Sequence, residues 1–375
     1  MKVNYSLSGF GGIARVHCMG LNNLELLSLP VDFEVNFSTL ATSSKEEKGA
    51  LAKKIGFDKI VSSFDELLQE DIDMVDLCTP NFVHKEEILT AIEADKHIYC
   101  EKPLALNLAE SELILEKIEK SSLKNQMGFV YRFLPAVAQA HALLKNKVIG
   151  KIKFAKIEYY HSRYLNPEVP ISWRLKKESS GGGALLDLGS HMIDLSRFLL
   201  GEYANLSAWT KTFIKERKNT KGVLEKVDVD DWALLMAELK SGANATVEVS
   251  RVSPGNEGFR FHIYGDEGAI YIDSNKARQV ELYDQSPKKI EISDKMLADD
   301  KFLEKVNSLY PSSKLSQGLM ADLHLVDLIW FIESIVKDQV IAGTPDFKEG
   351  YETQKIIEYA YKSAANNGDK INFED

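Results

Sequence analysis

SLSGFGGIARVH, Ser6–His17, is the stretch whose reading decides the fold. It contains Gly9-Phe10-Gly11-Gly12-Ile13-Ala14, a G-x-G-x-x-A series. The series directly follows the strand-like run Lys2–Leu7 and opens a helical pattern over Gly12–Leu21. Strand, glycine turn and helix form the context in which this spacing binds a dinucleotide. Gly9 allows the tight turn, Gly11 lets the backbone approach a pyrophosphate, and Ala14 lets helix and strand pack closely. The helix N-terminus adds free N–H groups and a positive dipole end. A plain βα turn with no ligand can carry the same spacing, so its weight depends on the rest of the domain.

The next hundred residues alternate regularly. Strand patterns at Phe33–Leu40, Met74–Cys78, His97–Cys100 and Gln126–Val130 are separated by helical patterns at Lys45–Ile55, Val83–Ala94 and Leu108–Lys120. Such alternation predicts a doubly wound parallel sheet, a Rossmann domain over residues 1–130. Past this point the texture changes. After a helix at Val137–Lys145, strands dominate: Lys153–His161, Leu206–Ile214, Trp232–Leu239, Ala245–Arg251, Phe259–Tyr264 and Ala269–Asp273. KSGAN (Lys240–Asn244) and GDEG (Gly265–Gly268) are hairpin turns. Residues 131–375 therefore read as an α+β domain with an open, mainly antiparallel sheet, and the chain as α/β overall. An open apolar sheet face is expected to pair subunits. Lys211–Lys226 reads as a charged loop, and Asp294–Ser316 as an excursion between elements.

Composition narrows the function classes. The 375 residues carry a net charge of −10, which suits neither nucleic acid nor anionic membrane as a partner. No apolar run reaches the roughly 18 residues of a membrane span. The opening MKVNYSLSGFGG lacks a signal h-region, and Cys18, Cys78 and Cys100 show no metal-ligand spacing. A cytoplasmic protein without a metal centre is expected.

Two further stretches bear on chemistry. A dinucleotide fold expects Asp or Glu at the end of the second strand, to hold the ribose 2′-OH. This chain has Ser38-Thr39-Leu40-Ala41-Thr42-Ser43-Ser44-Lys45 there, with no carboxylate before Glu46. Thr42, Ser43 and Lys45 suit a 2′-phosphate, which favours NADP over NAD; they also suit simple capping of the next helix. In SSGGGALLDLGSHMIDLSRFLLG, a helix apolar nearly all round carries Asp187, His191 and Asp194 at i, i+4 and i+7. Either these form a satisfied structural ladder, or Asp187 and His191 are an acid–base pair. The preceding Gly181-Gly182-Gly183 favours the second, as a place where backbone and ligand come close.

Together these stretches resemble the Gfo/Idh/MocA oxidoreductases. The likeness runs through the glycine series at Gly9–Ala14, TPNFVH at Thr79–His84, EKP at Glu101–Pro103, GGGALLDLGSHMID at Gly181–Asp194 and GDEGAI at Gly265–Ile270. The resemblance implies hydride transfer between a nicotinamide cofactor and a sugar, cyclitol or related polyol or keto compound. It implies homodimers or homotetramers through the open sheet. By the same resemblance Lys102 is the catalytic lysine and Asp187 and His191 complete the catalytic set. Gly9, Gly11, Gly12, Ile13, Ala14, Thr79, Pro80, Asn81, His84 and Glu101, with Lys102, lie on the cofactor side. Thr42 departs from the family, many members having Asp there. Weaker substrate candidates are Tyr131, Arg132, Arg163, Trp173 and Arg174, with His161 and Tyr164 beside them. A cis Lys102–Pro103 bond would aim the ammonium inward. Two other functions fit the motif set less well: a redox-neutral enzyme that keeps its cofactor, and a non-catalytic dinucleotide sensor, which has no use for a base.

Overall fold

The structure is a computed structural model that describes residues 1–286 and 288–373. The chain forms two compact units, one of Met1–Phe133 with Lys305–Tyr351, the other of Leu134–Glu304 with the residues from Glu352 on.

In the first unit the strands are β1 (Lys2–Ser8), β2 (Glu34–Ala41), β3 (Lys59–Val61), β4 (Met74–Leu77), β5 (His97–Cys100) and β6 (Asn125–Met127). The helices between them are α1 (Gly12–Asn22), α2 (Lys45–Ile55), α3 (Phe64–Leu68), α4 (Asn81–Glu93) and α5 (Leu108–Ile118). The sheet order is β3-β2-β1-β4-β5-β6, and every pairing is parallel. Strands covered on both faces must be apolar on both, and β4 is buried at all four positions. Strand order reverses between β1 and β4, where open α/β sheets bind their ligands.

The second unit opens with α6 (Pro135–Lys145) and β7 (Ile152–Tyr160), followed by α7 (Lys177–Ser180), α8 (Ala184–Asp187) and α9 (Gly189–Leu200). Strands β8 (Tyr203–Lys211), β9 (Glu216–Lys218), β10 (Leu224–Lys226), β11 (Trp232–Leu239), β12 (Asn244–Ser250), β13 (Gly258–Gly265), β14 (Ala269–Asp273), β15 (Glu281–Tyr283) and β16 (Lys289–Ile290) come next. Beyond these, in chain order and divided between the two units, lie α10 (Asp294–Leu297), α11 (Lys301–Leu309), α12 (Leu319–Val336), α13 (Phe347–Ala365) and β17 (Ile371–Asn372). The large sheet runs β16-β15-β14-β13-β7-β12-β11-β8-β17, antiparallel except at β7–β12. Alternation along its strands sends Ala155, Ile157, Val247, Val249, Ala233 and Leu235 into the core. The opposite side leaves Phe154, Trp209 and Met236 exposed.

Three expectations change. A single cut after residue 130 does not describe the chain, because α12 belongs to the first unit. Its residues from Ala321 to Ser334 are all buried, and Asp327 accepts hydrogen bonds from Tyr99 Oη (2.7 Å) and from Gln126. Lys211–Lys226 is not a loop throughout. It holds the β9–β10 hairpin, and the fully buried Arg217 donates to the carbonyls of Tyr164, Asn166 (2.7 Å) and Val169 (3.2 Å). The Asp294–Ser316 excursion is partly helical, because Phe302, Leu303, Val306 and Leu309 give α11 a buried apolar stripe.

Candidate active site

The first unit gathers its chemistry at the carboxyl ends of β1, β4 and β5. Gly9 has φ +84°, and a Cβ there would lie 2.8 Å from the carbonyl oxygen of Cys78, so only glycine fits. Gly11 and Gly12 differ: nothing lies within 4 Å of where their Cβ atoms would stand. Gly11 caps α1 without a side chain, leaving the helix N–H groups to an incoming anion. This bare helix start fits a pyrophosphate. Ala14 is fully buried, consistent with close helix–strand packing, and Ile13 sits beside it in the first turn.

The next turn, at the end of β4, is braced from behind. Thr79 Oγ1 donates to Glu87 Oε2 (2.7 Å) and Ser8 Oγ donates to Glu87 Oε1 (2.6 Å), so one buried carboxylate ties the β1 and β4 turns together. Burial pushes the Glu87 carboxyl above its ordinary range, against the pull of both hydroxyls. His84 is fully buried, with Nε2 3.0 Å from the Thr79 carbonyl and Nδ1 2.8 Å from the Pro103 carbonyl. It bridges this turn to the one after β5, and burial pulls its pKa down. Pro80 caps α4 and Asn81 begins it.

At the end of β5, Glu101 N–H donates to Leu77 O (3.0 Å), and the half-buried Lys102 comes next. The Lys102–Pro103 peptide is cis, as expected. At the end of β2, Thr42 is buried and its Oγ1 accepts from Ser44 N–H (3.3 Å), a turn just ahead of α2, whose N-cap Ser44 makes no side-chain cap bond; Ser43 and Lys45 are exposed. Tyr131 is buried, and the buried Arg132 donates to Glu349 Oε2 at 2.7 Å.

In the second unit Asp187 and His191 do not share one continuous helix. α8 ends at Asp187, Leu188 intervenes, and His191 lies in the first turn of α9. Asp187 is half-exposed; His191 is buried, and Asp194 completely so. The glycines before them answer to packing. A Cβ on Gly183 would fall 2.0 Å from the Asp230 carbonyl oxygen, and one on Gly182 would fall 2.4 Å from Tyr361 Oη. Asp230 grips the start of α8. Its carboxylate accepts from Gly183 N–H (3.0 Å), Leu185 N–H (2.8 Å) and Tyr361 Oη (2.7 Å), and its carbonyl accepts from Ala184 N–H (2.8 Å). The close approach expected of a ligand is thus made by Asp230 and Tyr361.

Around Asp187 stand two groups with no motif of their own. Arg251, buried at the end of β12, holds Nη1 4.0 Å from Asp187 Oδ2 and donates from Nη2 to Asp230 O (3.0 Å). His161 Nδ1 accepts from Arg163 N–H (3.2 Å), which puts the ring proton on Nε2. Burial keeps this imidazole neutral, outweighing the charge of Asp187. Tyr164 is buried under the Arg251 guanidinium (5.0 Å to the ring centre), whereas Arg163 and Arg174 are exposed and Trp173 half-buried, with the Arg174 guanidinium 4.3 Å above the Trp173 ring.

Two family descriptions match these units. The oxidoreductase family with an NAD-binding Rossmann fold covers residues 3–129, and the GFO/IDH/MocA C-terminal domain covers residues 137–271. The chain belongs to the Gfo/Idh/MocA oxidoreductases. Levoglucosan dehydrogenase of Pseudarthrobacter phenanthrenivorans is 28% identical over 379 residues, covering 97% of this chain and 96% of that protein. Glucose-6-phosphate 3-dehydrogenase of Bacillus subtilis is 26% identical over 364 residues, covering 96% and 95%. A solved levoglucosan dehydrogenase in complex with NADH and L-sorbose matches with a TM-score of 0.90 at 28% identity, over 100% of this chain and 99% of that one. Among the described residues no helix is long and apolar enough to cross a membrane.

Proposed function

We propose that this Gfo/Idh/MocA oxidoreductase is a dehydrogenase of a sugar or cyclitol hydroxyl, with Lys102, Asp187 and His191 as its catalytic set. The observation that carries the reading is the alignment of strand ends in the first unit. Cys78 N–H bonds to Ser8 O (2.9 Å) and Glu101 N–H to Leu77 O (3.0 Å), so the glycine turn and Lys102 leave the same edge of the sheet at its switch point. The levoglucosan and glucose-6-phosphate dehydrogenases among its relatives support the substrate class.

Gly9, Gly11, Gly12, Ile13 and Ala14 would hold the pyrophosphate, with Thr79, Pro80 and Asn81 along the ribose and Glu101 and Lys102 toward the reacting ring. His84 serves this side by bridging the two turns. A bound nicotinamide dinucleotide supplies the hydride acceptor. Oxidation of a secondary alcohol also releases one proton, and His191 takes it from the hydroxyl. Asp187 orients His191 and balances the imidazolium that forms. Lys102 stabilises the alkoxide oxygen by charge, an effect strongest away from water. Arg251 sets a guanidinium 4.0 Å from the Asp187 carboxylate, and His161 Nε2–H is a ready donor to a substrate hydroxyl.

The dinucleotide choice turns on the end of β2. With no carboxylate at residues 42–45, nothing there repels a 2′-phosphate, and exposed Lys45 would attract one. The NADH in the relative's complex weighs on the other side. Both cofactors are therefore proposed to bind. The exposed Phe154, Trp209 and Met236 support a homodimer or homotetramer through the open face.

The test is Lys102→Met. Turnover should fall by about 100- to 1,000-fold, with the Kd for NADH and NADPH, measured on the same preparation, little changed. Unchanged turnover would remove Lys102 from the mechanism.

A further inference from the structure

Around Glu101 the first unit buries a cluster of titratable side chains that, Glu101 apart, the proposed reaction does not use. His17, on the helix opened by the glycine turn, is fully buried. Its Nδ1 lies 2.7 Å from Asp76 Oδ2 on β4, and its Nε2 lies 2.9 Å from His324 Nδ1 on α12 and 3.3 Å from Glu101 Oε1 at the end of β5. His324 Nδ1 is 3.6 Å from the same Glu101 oxygen. Tyr5 Oη of β1 donates to Asp76 Oδ2 (2.6 Å), Cys78 Sγ lies 3.4 Å from both Asp76 Oδ1 and His17 Nδ1, and Tyr99 sets its ring edge against His17. Asp76 is fully buried, and Glu101 and His324 nearly so.

Two carboxylates this deep in the protein need a cation. Burial pulls the His17 pKa down, but Asp76 and then Glu101 outweigh it and raise it to about 10. Burial likewise opposes a charge on Glu101, and His17, His324 and Lys102 together overcome it and hold its carboxyl below the usual range. The ring thus stands between the two carboxylates, with Nδ1 on Asp76 Oδ2 and Nε2 at hydrogen-bond distance from His324 Nδ1 and in ion-pair contact with Glu101 Oε1.

We propose that His17 is a positioning residue for hydride transfer: its imidazolium anchors the Glu101 carboxylate, and through the adjoining peptide link it holds Lys102 at the strand end. The inference rests on the role assigned to Lys102 above. Glu101 is the last residue tied into the ladder, so its side chain decides where the turn after it begins. Because His17 belongs to α1, the same ring ties the lysine turn to the helix that starts at the glycines. Without the cation, Asp76 and Glu101 would face each other unbalanced, and Glu101, at the strand end, is the one that can swing away and carry Lys102 with it. A divalent metal held by His17, Glu101 and His324 is the rival use of the same atoms. The 2.9 Å between the two ring nitrogens favours a hydrogen bond, being shorter than the ~3.3 Å edge of a tetrahedral site with bonds of about 2.0 Å.

The experiment compares His17→Gln, Glu101→Ala, the double variant His17→Gln/Glu101→Gln and Lys102→Met in the full chain. Each is read as kcat at saturating dinucleotide, KM, dinucleotide Kd and thermal midpoint, with metal analysis of the unmodified protein. His17→Gln should lower kcat by about 100-fold, the effect of a displacement near 1 Å at a reacting group, while KM and Kd stay within about threefold. The double variant, with no Glu101 charge left to balance, should recover about tenfold of that loss, a non-additivity expected of coupled partners. A loss that came only from looser packing would lower the thermal midpoint and would not be rescued. If His17→Gln does not fold, Glu101→Ala carries the same prediction, because it cuts the tether and spares the His17–Asp76 pair. A kcat within about threefold of the unmodified protein, a double variant as slow as the single one, or stoichiometric zinc would overturn the proposal. Full turnover in Lys102→Met would instead refute the role of Lys102; a dead Lys102→Met beside a normal His17→Gln would refute only the inference.

Discussion

Asp230→Ala tests how the second unit presents its carboxylate and imidazole. The Asp230 side chain, buried beside the glycine triplet, accepts from Gly183 N–H at 3.0 Å, Leu185 N–H at 2.8 Å and Tyr361 Oη at 2.7 Å. Alanine removes this acceptor for all three at once, and Gly183 N–H keeps only Tyr361 Oη, at 3.1 Å. A buried donor left without a partner costs about 1–3 kcal/mol. The two donors left bare, Leu185 N–H and Tyr361 Oη, would set an upper figure near ~6 kcal/mol, but water can enter the small space the carboxylate vacates, and the first turn of α8 can shift. A cost of about 3 kcal/mol is therefore expected. Asp230→Asn keeps one carbonyl acceptor and should cost about half as much, and Tyr361→Phe, which loses one hydroxyl, about 1 kcal/mol. Guanidinium unfolding followed by tryptophan fluorescence reads this unit well, since Trp173, Trp209 and Trp232 lie in it and Trp330 in the other. With a slope of roughly 4 kcal/mol/M, Asp230→Ala should lower the midpoint by about 0.7 M. Turnover of the folded protein should fall as well, because α8 ends on Asp187. A midpoint shift below about 0.2 M, or an unchanged kcat, would show that the grip on Gly183 and Leu185 does not hold the site together.

Two shorter predictions concern the first unit. Gly9→Ala places a methyl group 2.8 Å from the Cys78 carbonyl at a φ of +84°, so it should cost about 1–3 kcal/mol and weaken dinucleotide binding more than it slows turnover at saturation; an unchanged Kd would refute the reading of this turn. The raised pKa of His17 links folding to pH. Its share of the stability is fully present below about 6.5, the ordinary imidazole value, and is lost as pH rises toward 10. Unfolding midpoints of the unmodified chain should thus fall between these limits more steeply than those of His17→Gln, and parallel curves would refute the imidazolium.

The fold was readable where local chemistry and topology agree. Gly9 is forced by a backbone angle and a close carbonyl, and alternating apolar runs give a parallel sheet whatever their exact ends. The glycine triplet shows where such reading stops. Its residues had the signature of a ligand approach, yet Gly182 and Gly183 are small because Tyr361 and Asp230, 179 and 47 positions further along the chain, press against them. Nothing in the local pattern at 181–183 records a partner that far away. The same holds for α12. Asp327 and His324, meeting Tyr99, Gln126 and His17, help to fix it in the first unit, and nothing in the local pattern of Leu319–Val336 names those partners. A charged residue in a hydrophilic stretch misleads for a related reason. Arg217 sits among lysines and glutamates, and its guanidinium is buried because three main-chain carbonyls around Tyr164 converge on it. Motifs therefore mark where a reacting group emerges, and the buried partners that hold it still come from anywhere in the chain. In the proposed site, Asp230 behind Asp187 and His17 behind Lys102 would be the two cases, each a polar group that burial would expel unless partners distant in the chain answered it.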